Sequence, residues 1–136
     1  MNKGIFHVRI LYVDDDPDIA EIATMSLRLN EELEVESCSN GKEALEKAEY
    51  WQPDLVLLDV MMPGMDGPTV LEKLQSMPDT QDIPVVFMTA RTQTADVERL
   101  MALGARGVIA KPFDPMTLAL QALAYARDAS VPSGVG

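Results

Sequence analysis

Asp14, Asp15, Asp59 and Lys111 lie far apart in the chain, yet each closes an apolar run: ILYVDD, LVLLD and GVIAK. If those runs are parallel strands that end together, three carboxylates and one ammonium meet at one edge of a sheet. Acids there gain nothing from packing, and two carboxylates about 4 Å apart repel by roughly 4 kcal/mol at an effective dielectric near 20. A divalent cation offsets that repulsion. With oxygen donors and no His or Cys beside them in sequence, the set suits a hard ion, Mg2+ or Mn2+, that keeps several waters and shares a phosphate oxygen. A solvated loop of acids is the bland alternative. A carboxylate held against such an ion can attack phosphorus and form an acyl phosphate, which makes Asp59 the candidate phosphoacceptor. Lys111 needs an anionic partner at a strand end, and Asp59 or its phosphate would serve. Thr89, closing VVFMT, offers a hydroxyl to a phosphoryl oxygen, although threonine is also common in strands for packing reasons. Asp16 reads differently, because it precedes Pro17 and suits a helix N-cap. Asp66, one residue before Gly67-Pro68, is likewise a turn or cap.

The elements that must position these residues are written in the alternation of apolar runs and amphipathic stretches. VRILYV leads to a helix from Pro17, VESC to one from Gly41, and LVLLD to one near Pro68. VVFMTA then leads to a helix near Thr94 to Leu103, and GVIA to a last helix from Pro115 to about Asp128. Five βα units in succession predict an α/β fold, a five-stranded parallel sheet with right-handed crossovers and helices on both faces. Continuous apolar runs such as LVLL and VVFM fit strands covered on both sides. In an open, doubly wound sheet the ligand crevice lies beyond the carboxyl ends of the strands, where the acids are. Gly104 follows a helical pattern and suits a left-handed cap. The reading gives one domain over residues 1–128 and a fraying tail over 129–136, SVPSGVG being aperiodic.

Composition narrows the class. At 136 residues, 47% hydrophobic and 24% charged, the chain is ordinary globular protein of single-domain length. The lone Cys38 allows no internal disulfide and points to a reducing compartment, the cytoplasm. No apolar stretch approaches the ~20 residues of a membrane helix, and MNKGIFHVRI shows no signal-peptide cleavage site. A net charge of −11 argues against direct nucleic-acid binding, which needs clustered Lys and Arg. Between Asp114 and Arg127 the last helix carries no charge, and Met116, Leu118, Leu120, Leu123 and Tyr125 spread over a wide arc. Dense packing around small alanines and a homodimer or partner interface both account for it.

VDDDP, LLDVMMPGMDG, VVFMTAR and AKPFDP, in that order, resemble the receiver domain of bacterial response regulators over about residues 7 to 128. The resemblance implies a flavodoxin-like, doubly wound fold. It implies a stand-alone receiver that takes a phosphoryl group from a phosphohistidine on a sensor histidine kinase or histidine phosphotransfer protein, then switches partner binding or relays the phosphate. It would be a phosphoacceptor that catalyses its own phosphorylation and slow dephosphorylation rather than a turnover enzyme. Asp59 matches the phosphorylated aspartate. Asp15 would ligate Mg2+ with Asp59 and the backbone carbonyl of Met61, and Asp14 would act mainly through water. Thr89 matches the switch hydroxyl, Lys111 the phosphate-binding lysine, and Lys111-Pro112 a bond commonly cis in the family.

Val108 departs from the pattern, standing where many receivers carry a Tyr or Phe that swings inward with the threonine. Output is then expected through the backbone at Thr89, Ala90 and Arg91. Met61 and Arg91, each two residues beyond a site residue, flank the expected path of attacking water, and Met61 has no group to orient one. Two other classes compete. A Mg2+-dependent aspartyl-phosphate phosphatase would need Asp-x-Asp-x-Thr/Val after the first strand, whereas Asp18 stands at the Thr/Val position. A constitutive interaction module would leave the Asp15, Asp59, Thr89 and Lys111 set without a use.

Overall fold

The computed structural model describes residues 7–127. Five strands form one parallel sheet: β1 (Val8–Val13), β2 (Leu33–Cys38), β3 (Leu55–Asp59), β4 (Val85–Thr89) and β5 (Gly107–Ala110). The helices alternate with them: α1 (Pro17–Arg28), α2 (Gly41–Trp51), α3 (Gly67–Gln75), α4 (Thr94–Ala102) and α5 (Leu118–Arg127). The strand order is β2-β1-β3-β4-β5, so the direction of winding reverses between β1 and β3. That reversal opens the crevice where doubly wound sheets take their ligands. The α/β fold expected from the alternation is the one formed.

Side-chain alternation divides the core in two. Leu11, Val13, Val56, Leu58, Val85 and Phe87 face α2, α3 and α4. Ile10, Tyr12, Leu55, Leu57, Val86 and Met88 face the opposite side, where Ala23 and Leu27 of α1 meet Leu118 and Ala122 of α5. Every residue of β3 and β4 is buried, as central parallel strands require. On β2, an edge strand, Leu33 and Val35 are buried while Glu34 and Glu36 turn outward to pair with Arg9 and Lys47.

The helix starts follow their capping residues. Asp16 Oδ1 accepts the N–H groups of Asp18 and Ile19 ahead of Pro17, and Asp66 Oδ1 accepts that of Thr69, so both acids are caps. Gly104, after α4, has φ +107°, a conformation open to glycine. Gly67 is fixed by proximity, since a Cβ there would lie 2.5 Å from the Asp59 carbonyl oxygen. The absence of that atom lets α3 start hard against the end of β3.

Two boundaries differ from the sequence reading. Strand β2 begins at Leu33 rather than Val35, because Leu33 pairs with Val8. Helix α5 begins at Leu118 rather than Pro115. Asp114 holds a turn there, its Oδ1 accepting the Met116 N–H and its carbonyl those of Thr117 and Leu118. Within α5, Leu118, Ala122 and Leu123 are buried while Leu120 is 62% exposed, and Met116 in the turn before it is 83% exposed. Core packing therefore explains part of the apolar arc and leaves a neutral outer face. The tail expected over 129–136 lies outside the described residues, as does Asp128.

Candidate functional site

Register brings the acids together. Val13 of β1 pairs with Leu58 of β3, so the next residues, Asp14 and Asp59, leave adjacent central strands side by side. Asp14 and Asp59 are 2% and 5% exposed, while Asp15 in the loop above is exposed. One carboxylate oxygen from each of Asp14, Asp15 and Asp59 lies within 4.8 Å of the others. Three hard oxygen donors at that spacing fit a divalent cation.

Lys111, just past β5, reaches back across the sheet edge. Its Nζ stands 3.2 Å from Asp59 Oδ1 and 3.4 Å from Asp14 Oδ2. Burial alone would pull the ammonium's pKa down, but the charges of Asp14 and Asp59 outweigh it and raise the value. Asp59 moves the other way from a usual carboxylate, pushed up to about 6 by burial and then by the charge of Asp14, with Lys111 opposing. A carboxyl so placed is strained by its own negative charge, and a cation or a phosphoryl group relieves that condition.

Thr89 ends β4 at the same edge, one residue past the Asp59–Met88 pair; its Oγ1 accepts the Arg91 N–H at 3.0 Å and the residue is 5% exposed. The Thr89 carbonyl accepts the Lys111 N–H at 2.8 Å, tying the two strand ends. The Lys111-Pro112 bond is cis. Met61 projects outward, 70% exposed, and Arg91 is exposed. Val108, paired with Phe87, is half-buried against the α2, α3 and α4 side of the core.

The sequence reading missed Tyr12. It is 1% exposed, and its hydroxyl donates to Asp14 Oδ2 at 3.0 Å. Burial, then the charge of Asp14, raises its pKa, so it stays a donor. The signal was available in the two-residue spacing, which puts Tyr12 and Asp14 on one face of β1.

An acidic pocket at the β1/β3 reversal, with a lysine spanning two of its carboxylates, has the charges to hold a divalent cation and a phosphoryl group together. Residues 10–123 match the family model of the response regulator receiver domain, and the chain belongs to that family. Among curated relatives, the DNA-binding response regulator MtrA of Mycolicibacterium smegmatis is 40% identical over 119 residues, covering 88% of this chain and 50% of that protein. Response regulator Rre1 of Synechocystis is 36% identical over 108 residues, 79% of this chain and 47% of the relative. The chain thus spans about half the length of the curated relatives it matches. Among solved structures, chemotaxis response regulator CheY4 of Vibrio cholerae superposes with TM-score 0.79 at 31% identity, covering 88% of this chain and 98% of that one. The Francisella response regulator 1452 receiver domain gives 0.81 at 25% identity, with 89% and 98% covered. Receiver domains work with sensor kinases or phosphotransfer proteins, which places this chain in two-component signalling. Among the described residues no helix is long and apolar enough to cross a membrane.

Proposed function

We propose that Asp59 accepts a phosphoryl group from the phosphohistidine of a sensor histidine kinase or histidine phosphotransfer protein. The observation that carries this reading is the Lys111 Nζ contact at 3.2 Å to a buried Asp59 carboxylate crowded by Asp14 and Asp15. An Asp59 oxygen attacks phosphorus, the P–N bond breaks, and its electron pair leaves on the imidazole nitrogen. Asp14, Asp15, Asp59 and the Met61 carbonyl would hold Mg2+, which when bound neutralises charge on the transferring phosphoryl oxygens. Lys111 turns its ammonium to the phosphoryl group, and the Thr89 hydroxyl donates to one of its oxygens. Reversal comes from water attacking phosphorus and breaking its bond to Asp59. Met61 offers that water no orienting group, so the phosphoryl group persists.

The receiver occupies residues 1–128 in this reading. Its state is read through the backbone around Thr89, Ala90 and Arg91, since Val108 has no ring to move. We propose no direct nucleic-acid contact by this chain, on its net charge of −11, and a cytoplasmic setting shared with the donor. The DNA binding in MtrA's name is said of a protein about twice the matched length. The outer face of α5, with Leu120 and the adjoining Met116, supports a homodimer reading that sedimentation checks directly.

Incubation with Mg2+ and a small phosphodonor, followed by intact mass measurement, tests the central claim. A single phosphate adduct, absent in Asp59→Asn, is the expected result. No adduct on the wild type refutes the claim, and rapid multiple turnover would turn it toward a phosphatase.

A further inference from the structure

Tyr12 bonds directly into the acidic cluster, and the phosphoacceptor reading gives it no task. Its ring sits in the core cluster with Leu27, Leu57, Met88 and Leu118. Its hydroxyl donates to Asp14 Oδ2 at 3.0 Å, the same oxygen that faces Lys111 Nζ at 3.4 Å. Asp14 Oδ1 accepts the Asp16 N–H at 3.0 Å. Both oxygens of a carboxylate only 2% exposed are therefore held by the protein.

Lys111 bridges Asp14 and Asp59 at rest. If it turns to phosphoryl oxygens on Asp59, the contact it loosens first is the longer one, to Asp14 Oδ2 at 3.4 Å, which takes a charged donor from a buried oxygen that water cannot easily reach. A buried acceptor left without a donor is costly. The phenol cannot follow the lysine, because packing fixes the ring. We propose that Tyr12 is a positioning residue that keeps Asp14 Oδ2 satisfied while Lys111 turns to the phosphoryl group, so that releasing the lysine costs less. This rests on Asp59 being the phosphoacceptor.

Tyr12→Phe removes the hydroxyl and keeps the ring, so the fold is retained. The first experiment needs no metal: denaturant unfolding in EDTA of the wild type, Tyr12→Phe, Lys111→Met and the double variant. In the wild type, loss of the hydroxyl leaves Lys111 on Asp14 Oδ2; in Lys111→Met it leaves no side-chain donor. The hydroxyl's loss should therefore lower the folding equilibrium constant about tenfold more in the Lys111→Met background. Equal costs in the two backgrounds would overturn the proposal.

The second experiment separates the lysine from the ion. With Mg2+ held saturating for each chain, as calorimetry establishes, adduct formation should slow about tenfold in Tyr12→Phe. An unchanged rate overturns the proposal. A slower rate that more Mg2+ restores to the wild-type value also overturns it, assigning the hydroxyl to the ion instead. A wild type that forms no adduct removes the phosphoacceptor reading itself, whereas equal adduct formation in both chains removes only the role of Tyr12.

Discussion

Asp59→Asn should make the metal-free protein more stable at neutral and alkaline pH. The Asp59 carboxyl titrates at about 6 folded, against an ordinary 3.8. It therefore binds its proton more tightly in the folded state, and folding loses stability as pH rises through that interval. A tenfold difference in proton affinity is worth about 1.4 kcal/mol, so the charged carboxylate costs the fold about 3 kcal/mol above pH 7. The attraction of Lys111 is already inside that figure, because it acts on the same ionisation. Asparagine resembles the protonated acid in shape and charge, so the variant escapes the cost. For a domain of this size about 3 kcal/mol is a rise in Tm of roughly 10 °C. Thermal or urea unfolding in EDTA at pH 8 measures it, and the advantage should shrink as pH falls through that interval, approaching zero below about pH 3, where wild-type Asp59 is largely protonated in both states. Saturating Mg2+ should raise the wild type and move the variant less, since a ligand stabilises only the state that binds it. A variant no more stable than wild type at pH 8, or an equal advantage at pH 4, would refute the reasoning.

Asp15→Asn should weaken Mg2+ binding by at least about tenfold, the scale of losing even an outer partner of a metal ligand, with unfolding in EDTA little affected because Asp15 is exposed; calorimetry checks it. Asp16→Ala removes the cap from α1 and should cost about 1 kcal/mol in urea unfolding while Asp59 still takes up phosphate. Met61→Asn introduces a group able to orient water beside Asp59 and should speed loss of the phosphate adduct in a time course of intact mass. Phosphate loss at the wild-type rate would end the idea that Met61 prolongs the signal.

Much of the site was legible because each acid terminates a run whose apolar character only a buried parallel strand explains. Asp14 and Asp59 could be placed at one edge before any coordinates, and Asp16 and Asp66 could be removed from the metal set by the prolines that follow. Tyr12 escaped because it sits inside the run VRILYV, where an aromatic residue reads as packing. Only the length of the phenol, reaching from one strand position to the next on the same face, reveals the bond. Helix α5 was hard to phase, because alanines between Leu118, Leu120 and Leu123 give no polar face to orient it. Its start was missed because the Asp114 carboxylate and carbonyl hold a turn that a proline pattern alone does not distinguish from helix.

The outward acids of β2 bear on how copies of this chain can meet. An open parallel sheet offers its edge backbone to any passing strand, a route to aggregation. Here a second β2 laid against the first would set its Glu34 and Glu36 close to their counterparts, with both chains already at a net charge of −11. Lys47 and Arg9 are already engaged with those acids and are poorly placed to bridge two copies. Sheet extension through β2 is thereby discouraged, and crowding many copies at one signalling complex carries less risk of fusing them strand to strand.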